Sequence, residues 1–168
     1  MTARTLDETL RRDGYTGLPL TTTGVGQLAT RAKVNGIGAW FLVDTGASTT
    51  VIDRRSADRF GLRASGADEQ AFGCVTTDAP GQVSSAHRAV VNRFELGGLV
   101  LEALSVHLVD LCHVNTALAK AGAGPIDGVL GGDLMVAHGA VIAYPSQTLH
   151  LKPGSVDSGG AVEHGGSA

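Results

Sequence analysis

Trp40-Phe41-Leu42-Val43-Asp44-Thr45-Gly46-Ala47-Ser48-Thr49-Thr50-Val51-Ile52-Asp53 sets one acidic residue between two apolar runs. The lead, Trp40 to Val43, has the make-up of a buried strand, and Thr49 to Asp53 rebuilds one on the far side. Between them Asp44-Thr45-Gly46-Ala47-Ser48 is a turn of small residues. A carboxylate delivered this way is held still, partly dried out, and approachable by a substrate backbone, because small neighbours leave the main chain uncovered. That arrangement belongs to an active site.

Downstream, Ile126-Asp127-Gly128-Val129-Leu130-Gly131-Gly132-Asp133-Leu134 is again an apolar strand that ends in glycine and leads into a short helix. Together the two segments resemble the retropepsin-like aspartic proteases, the one-domain relatives of pepsin that include the retroviral enzymes. The family's catalytic loop, Asp-Thr/Ser-Gly-Ala/Ser, is matched by Asp44-Thr45-Gly46-Ala47, and its bracing strand, two apolar residues and a glycine, by Val129-Leu130-Gly131. An Asp-Thr-Gly triplet alone is weak evidence. Its apolar lead, the partner strand and their spacing make the set specific. The resemblance runs from about Leu18 to Leu151.

A chain of 168 residues has the length of a single domain. Pepsin-like enzymes carry two Asp-Thr-Gly lobes, whereas this chain carries one, so the resemblance implies a homodimer in which each copy contributes Asp44 across a twofold axis. The monomer is then expected to be inert. A formal net charge of -3, with both signs mixed along the chain, supplies no basic stripe for nucleic acid and no polybasic patch for a membrane. Met1 to Gly14 is charged and lacks the apolar stretch of a signal peptide, and no run elsewhere is long enough to span a bilayer, so a cytoplasmic protein is expected. Cys74 and Cys112 fall in no disulfide spacing and are read as free thiols. His107, Cys112 and His113, and Cys74 with His87, match no zinc pattern, and Gly122 to Gly132 lacks the Lys-Ser/Thr ending of a phosphate loop. Neither metal nor cofactor is expected.

Residues 5–12 suit a short amphipathic helix carrying Leu6 and Leu10. Leu28 to Val34 alternates, and Asn35-Gly36 signals a hairpin into the Trp40 strand. Asp53 stands at a helix N-cap, Arg54 to Phe60 reads as one or two helical turns, and Gly61 closes them. Glu69 to Leu96 reads as a hairpin tipped by Thr77-Asp78-Ala79-Pro80-Gly81, and Gly97-Gly98 turns the chain into Val100–Val109. Asn115 to Pro125 reads as loop with a helical turn. After the Val129-Leu130-Gly131 strand comes a short helix capped by Asp133 and closed near Gly139. Val141–Tyr144 and Thr148–Leu151 make a last hairpin, and the Gly/Ser-rich tail is expected to be disordered. The class is all-β with few short helices, a retropepsin-like acid-protease β-barrel by resemblance. An N-terminal extension (1–17), the domain (18–152) and the tail (153–168) divide the chain.

The resemblance assigns roles. Asp44 would be the catalytic carboxylate, Thr45 would hydrogen-bond across the dimer, and Gly46 would leave backbone donors open. Ala47, Ser48, the flap tip Thr77 to Gly81 and Val129-Leu130-Gly131 would border an extended peptide, whose backbone a flap can pair with regardless of sequence. Asp127, Asp133 and Asp53 are read as turn and cap residues instead. Two departures stand out: Gly132 follows the bracing glycine where retroviral enzymes commonly have arginine, and the chain turns polar after Leu151 and Lys152. Interleaved chain termini therefore do not fit, and dimerisation by another surface is expected. Three functions remain in view: a homodimeric aspartic endopeptidase, a silent peptide-binding domain on the same fold, and a hydrolase of non-peptide amides.

Overall fold

Turn chemistry sets where the strands stop. The computed structural model describes residues 5–65, 71–72 and 84–154. In chain order they form α1 (Leu6–Arg12), β1 (Thr16–Pro19), β2 (Thr21–Thr22), β3 (Leu28–Val34), β4 (Ile37–Val43), β5 (Val51–Asp53), a one-turn 3-10 helix (Arg54–Ser56), β6 (Ala71–Phe72), β7 (Ser84–Ser85), β8 (His87–Leu96), β9 (Leu99–Val109), α2 (Cys112–Lys120), β10 (Gly128–Leu130), α3 (Gly132–Ala137), β11 (Val141–Ala143) and β12 (Thr148–Leu151). Asn35 and Gly36 take φ values of 50° and 82°, the left-handed pair that a two-residue hairpin between β3 and β4 needs. The class is mostly β, as expected.

Six strands close on themselves in the order β3-β4-β10-β5-β9-β8, with β8 returning to β3 through Lys33↔Glu95 and Val34↔Phe94. Short β2 adds to the other end of the same β3 edge through Thr21↔Ala29 and Thr22↔Leu28. Phe41, Phe94, Ile52, Leu130 and Val106 fill the barrel, none more than 1% exposed, and each such side chain contributes roughly 1.5–3 kcal/mol by leaving water. Phe41 meets Phe94 edge-on at 5.4 Å. A second, smaller sheet, β1-β12-β11, brings the start and end of the domain together. β6 and β7 pair as the base of a hairpin, while its expected tip, Thr77 to Gly81, lies outside the described residues, as do Cys74 and the tail beyond 154.

Crucial for the site is the strand threaded between β4 and β5. β10 runs parallel to β4 (Val129↔Leu42, Leu130↔Val43) and antiparallel to β5 (Gly128↔Ile52). The chain joining β4 to β5 must therefore cross over the end of β10. It does so at Gly131, where a built Cβ would lie 2.6 Å from the Thr49 carbonyl oxygen, and only glycine clears that crossing.

Two expectations need correction. Asn115 to Pro125 is not mainly loop, because α2 spans nine residues, Cys112–Lys120. Ala117, Leu118 and Ala119 are strong helix formers, and the glycines at 122 and 124 come only after the helix has ended. Nor does Asp133 cap α3: the N-cap is Gly131, and Asp133 lies in the first turn with its carboxylate turned to Thr50. By contrast, Asp53 does cap, accepting from Arg55 N–H, and Gly61 follows with a φ of 66°.

Candidate active site

Strand β4 alternates its side chains between two apolar clusters. Phe41 points into the barrel, whereas Trp40 and Leu42 join Val51, Val129, Leu111, Leu118 and Ile126 on the outer side under α2. By that alternation Asp44, the next residue after the strand, emerges on the outer side. Its N–H still bonds across to the Leu130 carbonyl at 3.1 Å, so the main chain is held up to the carboxylate itself. Asp44 Oδ1 accepts from Gly46 N–H at 2.8 Å, and Ala47 N–H returns to the Asp44 carbonyl at 3.2 Å. The result is a tight turn that fixes the carboxyl group.

From below, α3 grips the rest of the loop. Gly132 N–H donates to the Ala47 carbonyl at 2.6 Å and Asp133 N–H to the Ser48 carbonyl at 3.2 Å, which uses helix N-terminal amides that would otherwise lack partners. Fully buried Thr50 completes the brace: its hydroxyl donates to Asp133 Oδ1 at 2.7 Å and accepts from Gly131 N–H at 3.0 Å, while its own N–H donates to Asp133 Oδ2 at 2.9 Å. Sequence reasoning passed over Thr50. The signal was there: a hydroxyl entering a buried strand requires a buried partner.

Asp44, Thr45, Gly46 and Ser48 are exposed in the single chain, and Ala47 is half-buried. Val129 is half-buried beside Leu42, Gly131 is buried in the crossing, and Leu130 is 1% exposed inside the barrel, where it packs and offers its carbonyl to Asp44. The remaining nearby carboxylates are committed to structure. Asp53, 4% exposed, accepts from Arg55 N–H, Leu111 N–H and the Asn115 amide. Asp127 accepts from Trp40 N–H at 2.9 Å, from the Ser56 hydroxyl at 3.0 Å and from Arg59. Among the described residues around this loop, Asp44 is thus the exposed carboxylate held by a main-chain amide, while Asp53, Asp127 and Asp133 are engaged in bracing the fold.

A family model described as aspartyl protease matches residues 30–134, more than half of the chain and inclusive of both glycine-ended segments. The crystal structure of a retropepsin-like aspartic protease from Rickettsia conorii superposes with a TM-score of 0.53 at 17% identity, covering 82% of this chain and 91% of that one. The retroviral protease-like domain of Ddi1 from Leishmania major gives a TM-score of 0.44 at 16% identity, over 74% of this chain and 87% of that one. No curated protein matches.

Proposed function

The chain belongs to the aspartyl protease family, and from that premise we propose that two copies of it form an aspartic endopeptidase acting on extended peptides. The observation that carries this reading is the exposed Asp44, pinned through Oδ1 by the Gly46 amide at the end of a buried strand and present once in each chain.

Brought within about 3 Å of each other, two such carboxylates cannot both ionise, and they share one proton. Their two apparent pKa values belong to the pair. The ionised Asp44 takes a proton from a water lying between them, and the water oxygen attacks the scissile carbonyl. The protonated Asp44 of the other copy hydrogen-bonds the carbonyl oxygen as charge develops there. Collapse of the tetrahedral species breaks the C–N bond, and the amine leaves with a proton from the dyad. No acyl-enzyme forms, so reagents directed at serine or cysteine nucleophiles should not inhibit. Thr45, exposed beside Asp44, is suited to bond across the dimer, and β6 pairs with β7 on the two sides of the expected flap tip.

Wild-type protein and Asp44→Asn, incubated with a diverse peptide mixture from pH 3 to 8, test the reading by mass spectrometry. Cuts made by the wild type alone are expected. Identical cuts by both proteins, or none by either, would contradict it.

A further inference from the structure

A helix with no buried residue of its own closes the outer face of the small sheet. Along β12, Leu149 and Leu151 turn into the core, so His150 between them faces the other way, and yet it is 0% exposed. Over it lies α1: His150 Nε2 meets Asp7 Oδ1 at 2.8 Å, and the Ser146 hydroxyl donates to the same oxygen at 3.1 Å. His150 Nδ1 is buried with no hydrogen-bond partner among the described residues, which places the ring proton on Nε2, toward the carboxylate. We propose that α1 is a proton-operated strap: docked through ionised Asp7 it clamps β12 and, by way of His138, the helix that holds the Asp44 loop, and protonation of Asp7 releases it. As regulation of the Asp44 site this rests on the catalytic reading, whereas the strap itself is testable without any cleavage.

Three observations carry the proposal. First, α1 has little else to hold it. Its seven residues are too few for a helix to be stable alone in water, and Leu6 stays 53% exposed. A hydrogen bond to a charged group is roughly twice as strong as a neutral one, so the ionised carboxylate dominates the contact. Second, the switch is isolated. Asp7 faces His150 and Ser146 on the sheet side and Arg11 on its own helix, while β1, which also packs against α1, carries no ionisable side chain in Thr16–Pro19. The register partners of His150, Gly17 on β1 and Val141 on β11, are uncharged as well. Third, the strap reaches the Asp44 loop through short hydrogen-bonded links. Just past β12, Lys152 N–H donates to the His138 carbonyl at 2.8 Å, and His138 Nδ1 lies 3.1 Å from the Lys152 carbonyl oxygen. His138, 2% exposed, ends α3, whose first amides hold Ala47 and Ser48. One short helix, about 9 Å long, thus separates the clamp from the loop.

The hydrogen bond from His150, helped by Ser146 and by the charges of His150 and Arg11, holds Asp7 below its ordinary value. The strap is therefore fully engaged above about pH 4 and lets go as pH falls through the lowered value. Amide hydrogen exchange, read by mass spectrometry from pH 6 to 2.5 and corrected for intrinsic rate, tests this on wild-type protein, Asp7→Asn and Ser146→Ala. In the wild type, protection of residues 6–13 and 133–140 should fall together by about tenfold below pH 4. Protection in Asp7→Asn should not vary across that range, and in Ser146→Ala, where the carboxylate has lost one donor, the step should move to higher pH. No acid step in the wild type, a step that persists in Asp7→Asn, an unshifted step in Ser146→Ala, or loosening of α1 with 133–140 still protected would each overturn the strap. Absence of cleavage by the wild type would instead strike the protease reading and leave these protections to decide the strap alone.

Discussion

Gly131 and Gly132 are neighbours with opposite demands. At Gly131 a Cβ would be driven to 2.6 Å from the Thr49 carbonyl oxygen, while at Gly132 the nearest atom, the Ala47 oxygen, is 3.4 Å away. Gly131→Ala should therefore destabilise by about 2–3 kcal/mol, the scale of overpacking, and Gly132→Ala should stay within about 1 kcal/mol because helix propensity favours alanine. Urea denaturation of the two variants distinguishes them, and equal losses would remove the crossing argument. Asp44 makes the contrasting case. Its side chain is exposed and, among the described residues, holds the Gly46 amide, whose hydrogen bond an asparagine oxygen can also accept. Asp44→Asn should leave the urea midpoint unchanged and lower cleavage by about 1,000-fold or more, the scale of a lost acid–base step. Both residues were legible in the sequence, since an acidic residue between apolar runs and a strand ending in glycine are local signals. Of the Thr50–Asp133 brace only half was legible: a hydroxyl entering a buried strand calls for a partner, but that partner lies far along the chain and Asp133 looks locally like a helix cap.

Among the elements, hairpins announced themselves and α2 did not. Asn35-Gly36 and Gly97-Gly98 mark strand ends through turn chemistry, but Asn115 to Pro125 looks like loop because glycines crowd its end. What holds α2 is a long-range network: Asn115 bonds Asp53 at 3.3 Å as well as both main-chain groups of Ile126. Asn115→Ala would leave these groups unmatched and should cost about 2–3 kcal/mol, again read from urea denaturation. At the other end of the chain, α1 has no buried residue and is tied down through Asp7, whose Oδ1 meets His150 Nε2 at 2.8 Å and the Ser146 hydroxyl at 3.1 Å. The hydrogen bond to His150, helped by Ser146 and by the charges of His150 and Arg11, holds the Asp7 carboxyl below its ordinary value. A carboxylate with a depressed pKa contributes fully above the ordinary value, about 4, and its contribution drains away as pH falls through the lowered one. Backbone 15N relaxation at Thr9 and Leu10 should show α1 loosening below about pH 4, and Asp7→Asn should abolish that acid step. An α1 equally ordered at pH 2.5 and 7 would count against the tether.

For the whole molecule, the threading of β10 between β4 and β5 dictates that each chain offers one braced, exposed Asp44. That threading was not visible in strand periodicity and entered through the family resemblance, since a parallel pair separated by more than eighty residues leaves no local trace. Gly132 stands where the retroviral enzymes commonly carry arginine, so in the proposed dimer the two copies would meet through contacts other than that ion pair. Activity per mole should consequently fall on dilution below the dimer constant. The most direct test of a shared site is to mix wild-type protein with Asp44→Asn at constant total concentration, allow the subunits to exchange, and measure cleavage against the wild-type fraction. Two carboxylates acting together predict a quadratic dependence, with about a quarter of full activity at an equal mixture. A straight line, with about half remaining, would mean that each chain works alone and would contradict the account.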